Sequence, residues 1–324
     1  MMKGFLIVMK NKKYKSLITS KKWIKSIFTA LFLLTIGCIP AVAGIMSVST
    51  ASEFQSALRE AAINAGDDTI ILSAGTYVGE FSYSSTENFS LTIKSEDGLD
   101  AGQVVLDGLG MFPVLDLDSG NIQSDYYLKN ITFQRTTITY GVSIITNGDV
   151  FLDSCVFTSN MKGFLCIKTQ GNVKVQHTLI TDNTTIGILI EDSNEVTFKY
   201  NNINGNGVQG PSNNDFLYLD SINTLIFMNN NLFNNAPHYN MNLLAANSTN
   251  NALISGNYIY NNYNAIVLSN SAIQIDFSNN MVINNYLGLS TALEMSMQIR
   301  LLYAITFLKK LQNHQYTQLK VMNS

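Results

Sequence analysis

Residues 163–180, GFLCIKTQGNVKVQHTLI, decide the fold. They divide into three short apolar pieces, GFLCIKT from Gly163, VKV at Val173 to Val175 and TLI at Thr178 to Ile180, with polar turns between them. The pieces alternate apolar with polar residues and draw on Val, Ile, Leu and Phe, which is strand chemistry. The same pattern extends in both directions, from Leu128 to Asn285. Units begin LKNITF at Leu128, LDSCVF at Leu152, VQHTLI at Val175, YNNING at Tyr200, NNNLFN at Asn229, GNYIYN at Gly256 and SNNMVI at Ser278. Their turn positions are Asn130, Ser154, His177, Asn201, Asn230, Asn257 and Asn280, separated by 24, 23, 24, 29, 27 and 23 residues.

A period in that range is the mark of a solenoid, in which each unit buries its apolar side only by stacking on its neighbours. Leucine-rich repeats need Leu at fixed offsets, and ankyrin or tetratricopeptide units need helices. Neither pattern is present. Three strands at about 3.3 Å per residue account for one rung of this length. The expected fold is therefore all-β, a parallel β-helix with three short strands per coil.

On these residues the chain resembles the right-handed parallel β-helix repeat proteins of the pectate-lyase-like superfamily, over about Ser47 to Asn285. The resemblance implies that the turn column is an asparagine ladder, each amide bonding to the next coil and capping backbone groups that a corner leaves unpaired. Ser154 and His177 interrupt it. The opening order, a helix followed by TIIL (Thr69), GTY (Gly75), LTI (Leu91) and VLDG (Val105), resembles the first coils of many secreted β-helix proteins, polysaccharide lyases among them. The family's enzymatic signatures are not recognisable: neither a pectate lyase Arg pattern nor the polygalacturonase NTD, DD and HG motifs.

The chain has 324 residues, 46% hydrophobic and only 13% charged, and its repeat argues for one elongated domain over residues 44–287. Ahead of it, eight lysines precede an apolar run from Ile27 to Ile39 that ends in Ala41-Val42-Ala43. This is expected to be a secretory signal peptide cut after Ala43. An uncleaved anchor is the alternative, although the run is shorter than the roughly 20 residues a span needs; a lipoprotein through Cys38 lacks the Leu expected three residues earlier. Without those lysines, 12 basic residues face 23 acidic ones, a net charge of −11. That balance disfavours nucleic acid and anionic lipid as partners. Cys155 and Cys166, both placed within strands, read as small buried hydrophobes or as a disulfide.

A helix from Ser52 to Ala65, with Ser52 and Gln55 spaced as a capping box, would present Phe54, Ala57, Leu58, Ala61 and Ala62 as one stripe over the open end of the core. From Gly288 the pattern stops. Ala292 to Gln312 has helical composition with Lys309 and Lys310 near its end, so residues 288–324 read as a C-terminal helical tail or as a shortened array.

Two groups of side chains bear on function. Aligning coils on Gly163, Gly187 and Asp215 puts Lys168, Asp192 and Asp220 at one offset, about 4.8 Å apart per coil. Such carboxylates fit an acid and nucleophile pair, which retaining glycosidases hold about 5 to 5.5 Å apart, or a calcium site, or a surface ion-pair ladder. Glu191 lies beside them. The two long intervals add the loops GNGVQGPSNN (Gly205) and NNAPHYN (Asn234), where His238 and Tyr239 offer rings and Gln209, Asn213 and Asn240 offer amides to sugar hydroxyls. Arg135 is a third candidate, for an acidic sugar or for a surface carboxylate. The same alignment turns Ile145, Leu165, Ile167, Leu189, Leu217, Leu219, Leu244, Ile266 and Leu268 outward, an apolar face that a protein partner or the tail would cover. The expected activity is contact with glycans or surface partners without catalysis. The alternative is a polysaccharide lyase or glycoside hydrolase acting on an acidic polysaccharide.

Overall fold

The computed structural model describes residues 43–136, 140–161, 163–184, 187–207, 216–235, 242–262, 264–269, 274–285 and 287–292. Among them are three parallel sheets of ten, nine and nine strands, and after the first strand, which pairs with the second, each sheet takes every third strand of the chain. The first sheet runs from Ile45–Val48 to Gln274–Ser278, the second from Gly75–Val78 to Met281–Ile283, and the third from Phe81–Ser84 to Leu287–Ala292. One coil consists of Leu165–Lys168, Asn172–Gln176 and Leu179–Thr181, the three pieces read from residues 163–180. The strand Leu287–Ala292 pairs in parallel with Asn264–Ser269, so the coil pattern runs a few residues past Gly288. The expected signal segment up to residue 42 and the C-terminal helix expected over 292–312, apart from Ala292 at the end of that strand, lie outside the described residues.

Strand alternation fills the core. Val150 and Leu152 stack under Val173 and Val175, then Val196 and Phe198, then Leu225 and Phe227, all buried and each directly above its counterpart one coil below. At the N-terminal end, helix α1 spans Ala51–Ala61 and buries Phe54, Ala57, Leu58 and Ala61, the expected stripe. Its cap is Thr50 with Glu53 rather than Ser52 with Gln55, and it ends short of Ala65. Phe54 packs 4.7 Å from Phe81 and 6.0 Å from Tyr77, while Gln55 exchanges two hydrogen bonds with the backbone of Ser82, so the helix closes the first coil.

The asparagine ladder is present, with one correction. The turn positions split into two neighbouring columns. Asn130, Ser154 and His177 fall in a left-handed column with φ from 51° to 60°, continued by Tyr200 and Asn229. The ladder lies one residue further on: Asn201, Asn230, Asn257 and Asn280, of which the first three donate Nδ2 to the next Oδ1 at 2.9–3.0 Å and all four donate to a main-chain carbonyl. In earlier coils that column holds Thr178 and Cys155. Cys155 is thus a corner residue, not a strand residue, and its thiol donates to Leu128 O as the amides do in their coils. A second ladder, which the turn spacing did not expose, runs through Asn160, Asn183, Asn206, Asn235, Asn262 and Asn285 with amide contacts of 2.9–3.0 Å. Asn183 is fully buried there, so the NTT sequon at that position offers no free amide to a glycan.

Candidate functional site

The register of the third sheet decides which side chains meet. Lys168 pairs with Glu191, and Glu191 with Asp220, so Asp192 is not in the same column as the other two. The alignment on glycines misplaced it because Gly163 and Gly187 are small for different reasons. A Cβ at Gly163 would lie 2.3 Å from the ring of Tyr140, whereas one at Gly187 would lie 2.7 Å from both the Phe164 ring and the carbonyl of Phe216. Gly187 shares its column with Phe164 and Phe216, leaving room for the two rings, whose centroids are 5.8 Å apart. A one-residue shift inverts the faces of a strand. Leu165, Ile167, Leu217, Leu219, Leu244 and Ile266 are accordingly buried core residues, and of the apolar face expected outside, Ile145 and Leu189 remain outward among the described side chains. The reason for a partner covering that face goes with it.

The outward columns are largely polar. One runs Asp118, Ile145, Lys168, Glu191, Asp220 and Asn247; the other runs Asp116, Ser143, Cys166, Leu189, Tyr218 and Ala245. Asp192, in a left-handed turn with φ of 63°, reaches back so that its Oδ2 lies 3.3 Å from Lys168 Nζ. Asp220 accepts from Asn247 Nδ2 at 2.7 Å. The structure therefore joins Lys168 to Asp192 and sets Asp220 over Glu191.

Just beyond these strand ends, at the corner leading into the first sheet, is an exposed counterpart of the buried ladders. Asn194 Nδ2 donates to Asn172 Oδ1 at 2.9 Å, Asn223 to Asn194 at 3.3 Å and Asn250 to Asn223 at 3.1 Å. Asn172 in turn donates to Asp149 Oδ1 at 3.1 Å. An amide has two N–H donors and an oxygen with two lone pairs; contacts along this stripe use one donor and one lone pair of each interior member. The remainder faces water, repeated at every coil beside Lys168, Glu191, Asp220 and Asn247. The sequence carried the signal, an Asn three residues after Glu191, Asp220 and Asn247, but the longer intervals obscured it.

Other titratable groups on this flank have shifted equilibria. Burial pushes the carboxyl of Asp116 up, against a hydrogen bond with Ser143, and Asp118 adds to the rise. Burial and the charge of Glu191 push the Cys166 thiol up to about 11, and burial takes Cys155 to about 12; both cysteines are free. Burial, then Cys166 and Glu191, raise Tyr140. Among the described residues no group of three or more His, Cys, Asp or Glu side chains gathers as a metal site, and no helix is long and apolar enough to cross a membrane.

Arg135 lies elsewhere. Its guanidinium grips the fully buried carboxylate of Asp107 with Nε 2.9 Å from both oxygens. Burial alone would raise Asp107, but hydrogen bonds from Arg135, Gln134 and the Leu109 backbone outweigh it and hold the carboxyl below its usual range. His177, at another corner, places Nδ1 2.9 Å from Asp153 Oδ1 and stacks on Tyr200 at 5.5 Å. His238, Tyr239, Asn240, Gln209 and Asn213 lie outside the described residues.

Residues 119–300 match the family model described as "Right handed beta helix region", more than half of the chain. The chain belongs to the right-handed β-helix family. Among solved structures, the pectin methylesterase from Aspergillus niger is similar to it, 12% identical, with 76% of this chain and 84% of that one covered and a TM-score of 0.37. Nothing about chemistry follows from a likeness so loose. No curated protein matches this β-helix chain.

Proposed function

We propose that this β-helix protein is secreted or displayed at the cell surface and binds a polysaccharide, without turning it over, along the flank where the third sheet meets the exposed asparagine stripe. The observation that carries this reading is the stripe itself: Asn172, Asn194, Asn223 and Asn250 offer unspent donors and acceptors at one-coil spacing beside Glu191, Asp220 and Asn247. A chain of sugars presents hydroxyl groups that both donate and accept, and a periodic row of amides and carboxylates meets them in kind. Tyr218 and Leu189, outward in the neighbouring column, supply apolar surface for sugar C–H faces.

Charge narrows the ligand. Lys168 is tied to Asp192, and the rest of the flank is acidic or neutral, so a hydroxyl-rich neutral polysaccharide fits directly, while a uronic-acid polymer fits with calcium between the carboxylates. Glycan-array retention of the secreted protein, followed by calorimetric titration with and without calcium, tests this. Binding weakened tenfold or more by Asn194→Ala with Asn223→Ala supports the reading, and retention unaffected by the pair overturns it.

A second reading rests on Asp116. A half-buried carboxyl whose proton is held more tightly than usual has the property of a general acid. It favours a polysaccharide lyase or glycoside hydrolase using the third sheet, with Asp118, outward on the same strand, as the candidate partner; Asp220 lies four coils away. New double bonds or reducing ends released from a panel of polymers, and lost in Asp116→Ala, would establish that activity in place of binding alone.

A further inference from the structure

The first strand begins immediately after the sequence Ala41-Val42-Ala43. Gly44 N donates to Asp68 Oδ1 at 2.9 Å, and Gly44 O accepts from Thr69 N at 2.8 Å. Asp68 is 3% exposed, and a Cβ at residue 44 would lie 2.5 Å from its Oδ1, so only glycine lets the chain approach this closely. Around Asp68 the charges are of one sign: Glu60 on α1, Asp67 beside it and Glu87 on the following loop. One carboxylate oxygen of Glu87 is buried with no hydrogen-bond partner. While the chain continues through Gly44, burial first, and then those three carboxylates, push the carboxyl of Asp68 up. Among the described residues, the charges that act on this buried carboxyl are acidic, and it accepts a hydrogen bond from the Gly44 amide N–H, at the point where the leader would be removed.

We propose that Gly44 is the first residue of the mature protein and that its α-ammonium group forms a buried ion pair with Asp68, so that processing itself fastens the first strand. A signal-processing peptidase, with water, breaks the Ala43–Gly44 amide bond; a carboxylate remains on Ala43 and the protonated amine on Gly44. The cut occurs on the unfolded chain during export. Pairing of Ile45–Val48 with Thr69–Leu72 then brings the new terminus to Asp68, where one amide donor has become an ammonium with three donors and a full positive charge. An unprocessed chain keeps the same contact as a neutral hydrogen bond and lacks the cation.

Two measurements decide it, and neither depends on what binds the flank. The full chain is expressed in an exporting host and the secreted protein is sequenced from its amino terminus. Gly44 is the expected first residue; any other first residue, or an uncut chain, overturns the proposal. On the same protein, the α-amino group is titrated by NMR with labelled glycine. A value raised about one unit or more above the ordinary 7.7–8.0 is expected, and an ordinary value overturns the ion pair. Asp68→Asn should return the value to the ordinary range. Should that variant not fold, a mature chain that retains Ala43 serves instead: a Tm lower by about 3 °C or more supports the pair, and an equal Tm contradicts it.

Discussion

A buried and an exposed asparagine ladder in this molecule use the same side chain at the same spacing and do different things. In the buried one, Asn206 donates to Asn235 Oδ1, to Ile180 O and to Asn204 O, and its own oxygen accepts from the amide and backbone N–H of Asn183. Nothing is left over, and the ladder stabilises the coil corner. In the exposed one, Asn194 makes one contact up and one down and keeps the rest of its capacity at the surface. Burial thus turns a ladder into structure, and exposure turns the same ladder into a surface that can recognise hydroxyl groups.

The comparison is broken most severely by Asn206→Ala. Removing that amide strands donors and acceptors in both neighbouring coils, and about 3 kcal/mol of stability should be lost in a urea melt. If Asn194→Ala cost as much, the distinction between the ladders would collapse; a loss below about 0.5 kcal/mol is expected. Gly187→Ala comes next. Its new methyl group meets the Phe216 carbonyl and the Phe164 ring, so overpacking of about 2 kcal/mol should appear in the same melts, with the oligosaccharide affinity of the folded fraction retained.

Acid sharpens the contrast between paired and unpaired polar groups. Asp107 has its folded pKa held below the unfolded one, so its contribution is present above the ordinary Asp range and lost as pH falls through the lower folded value. Arg135→Ala, by stranding that buried carboxylate, should lower Tm by several degrees at pH 7 and flatten the acid limb of a Tm-versus-pH curve. The smallest effect is chemical. With thiols raised to about 11 and about 12, neither cysteine should alkylate quickly at pH 7.5, and partly exposed Cys166 should react before buried Cys155 in a timed mass-spectrometric assay.

The solenoid was legible in the sequence because a coil that stacks on itself must repeat its turn chemistry, and Asn at intervals of 23 to 29 residues is hard to mistake. The register was not. GFLCIK and DFLYLD place apolar residues at successive positions, so alternation alone allows Phe164 or Leu165 to face inward; both are in fact buried, Leu165 in the sheet and Phe164 at the corner preceding it. Gly163 and Gly187 looked equivalent and were not, since one spares the Tyr140 ring and the other separates two phenylalanines. That single offset moved Asp192 out of the acid column and Glu191 into it. The exposed stripe was hidden for a related reason: Asn172, Asn194, Asn223 and Asn250 are neighbours only once the coils have been laid in register.

The most direct test is a titration of the purified protein with the best-retained oligosaccharide, run in parallel on the wild type and on Asn194→Ala with Asn223→Ala. The expected result is an affinity at least tenfold lower in the variant with a Tm within about 1 °C of wild type. Equal affinities would contradict the assignment of the exposed ladder as the binding surface.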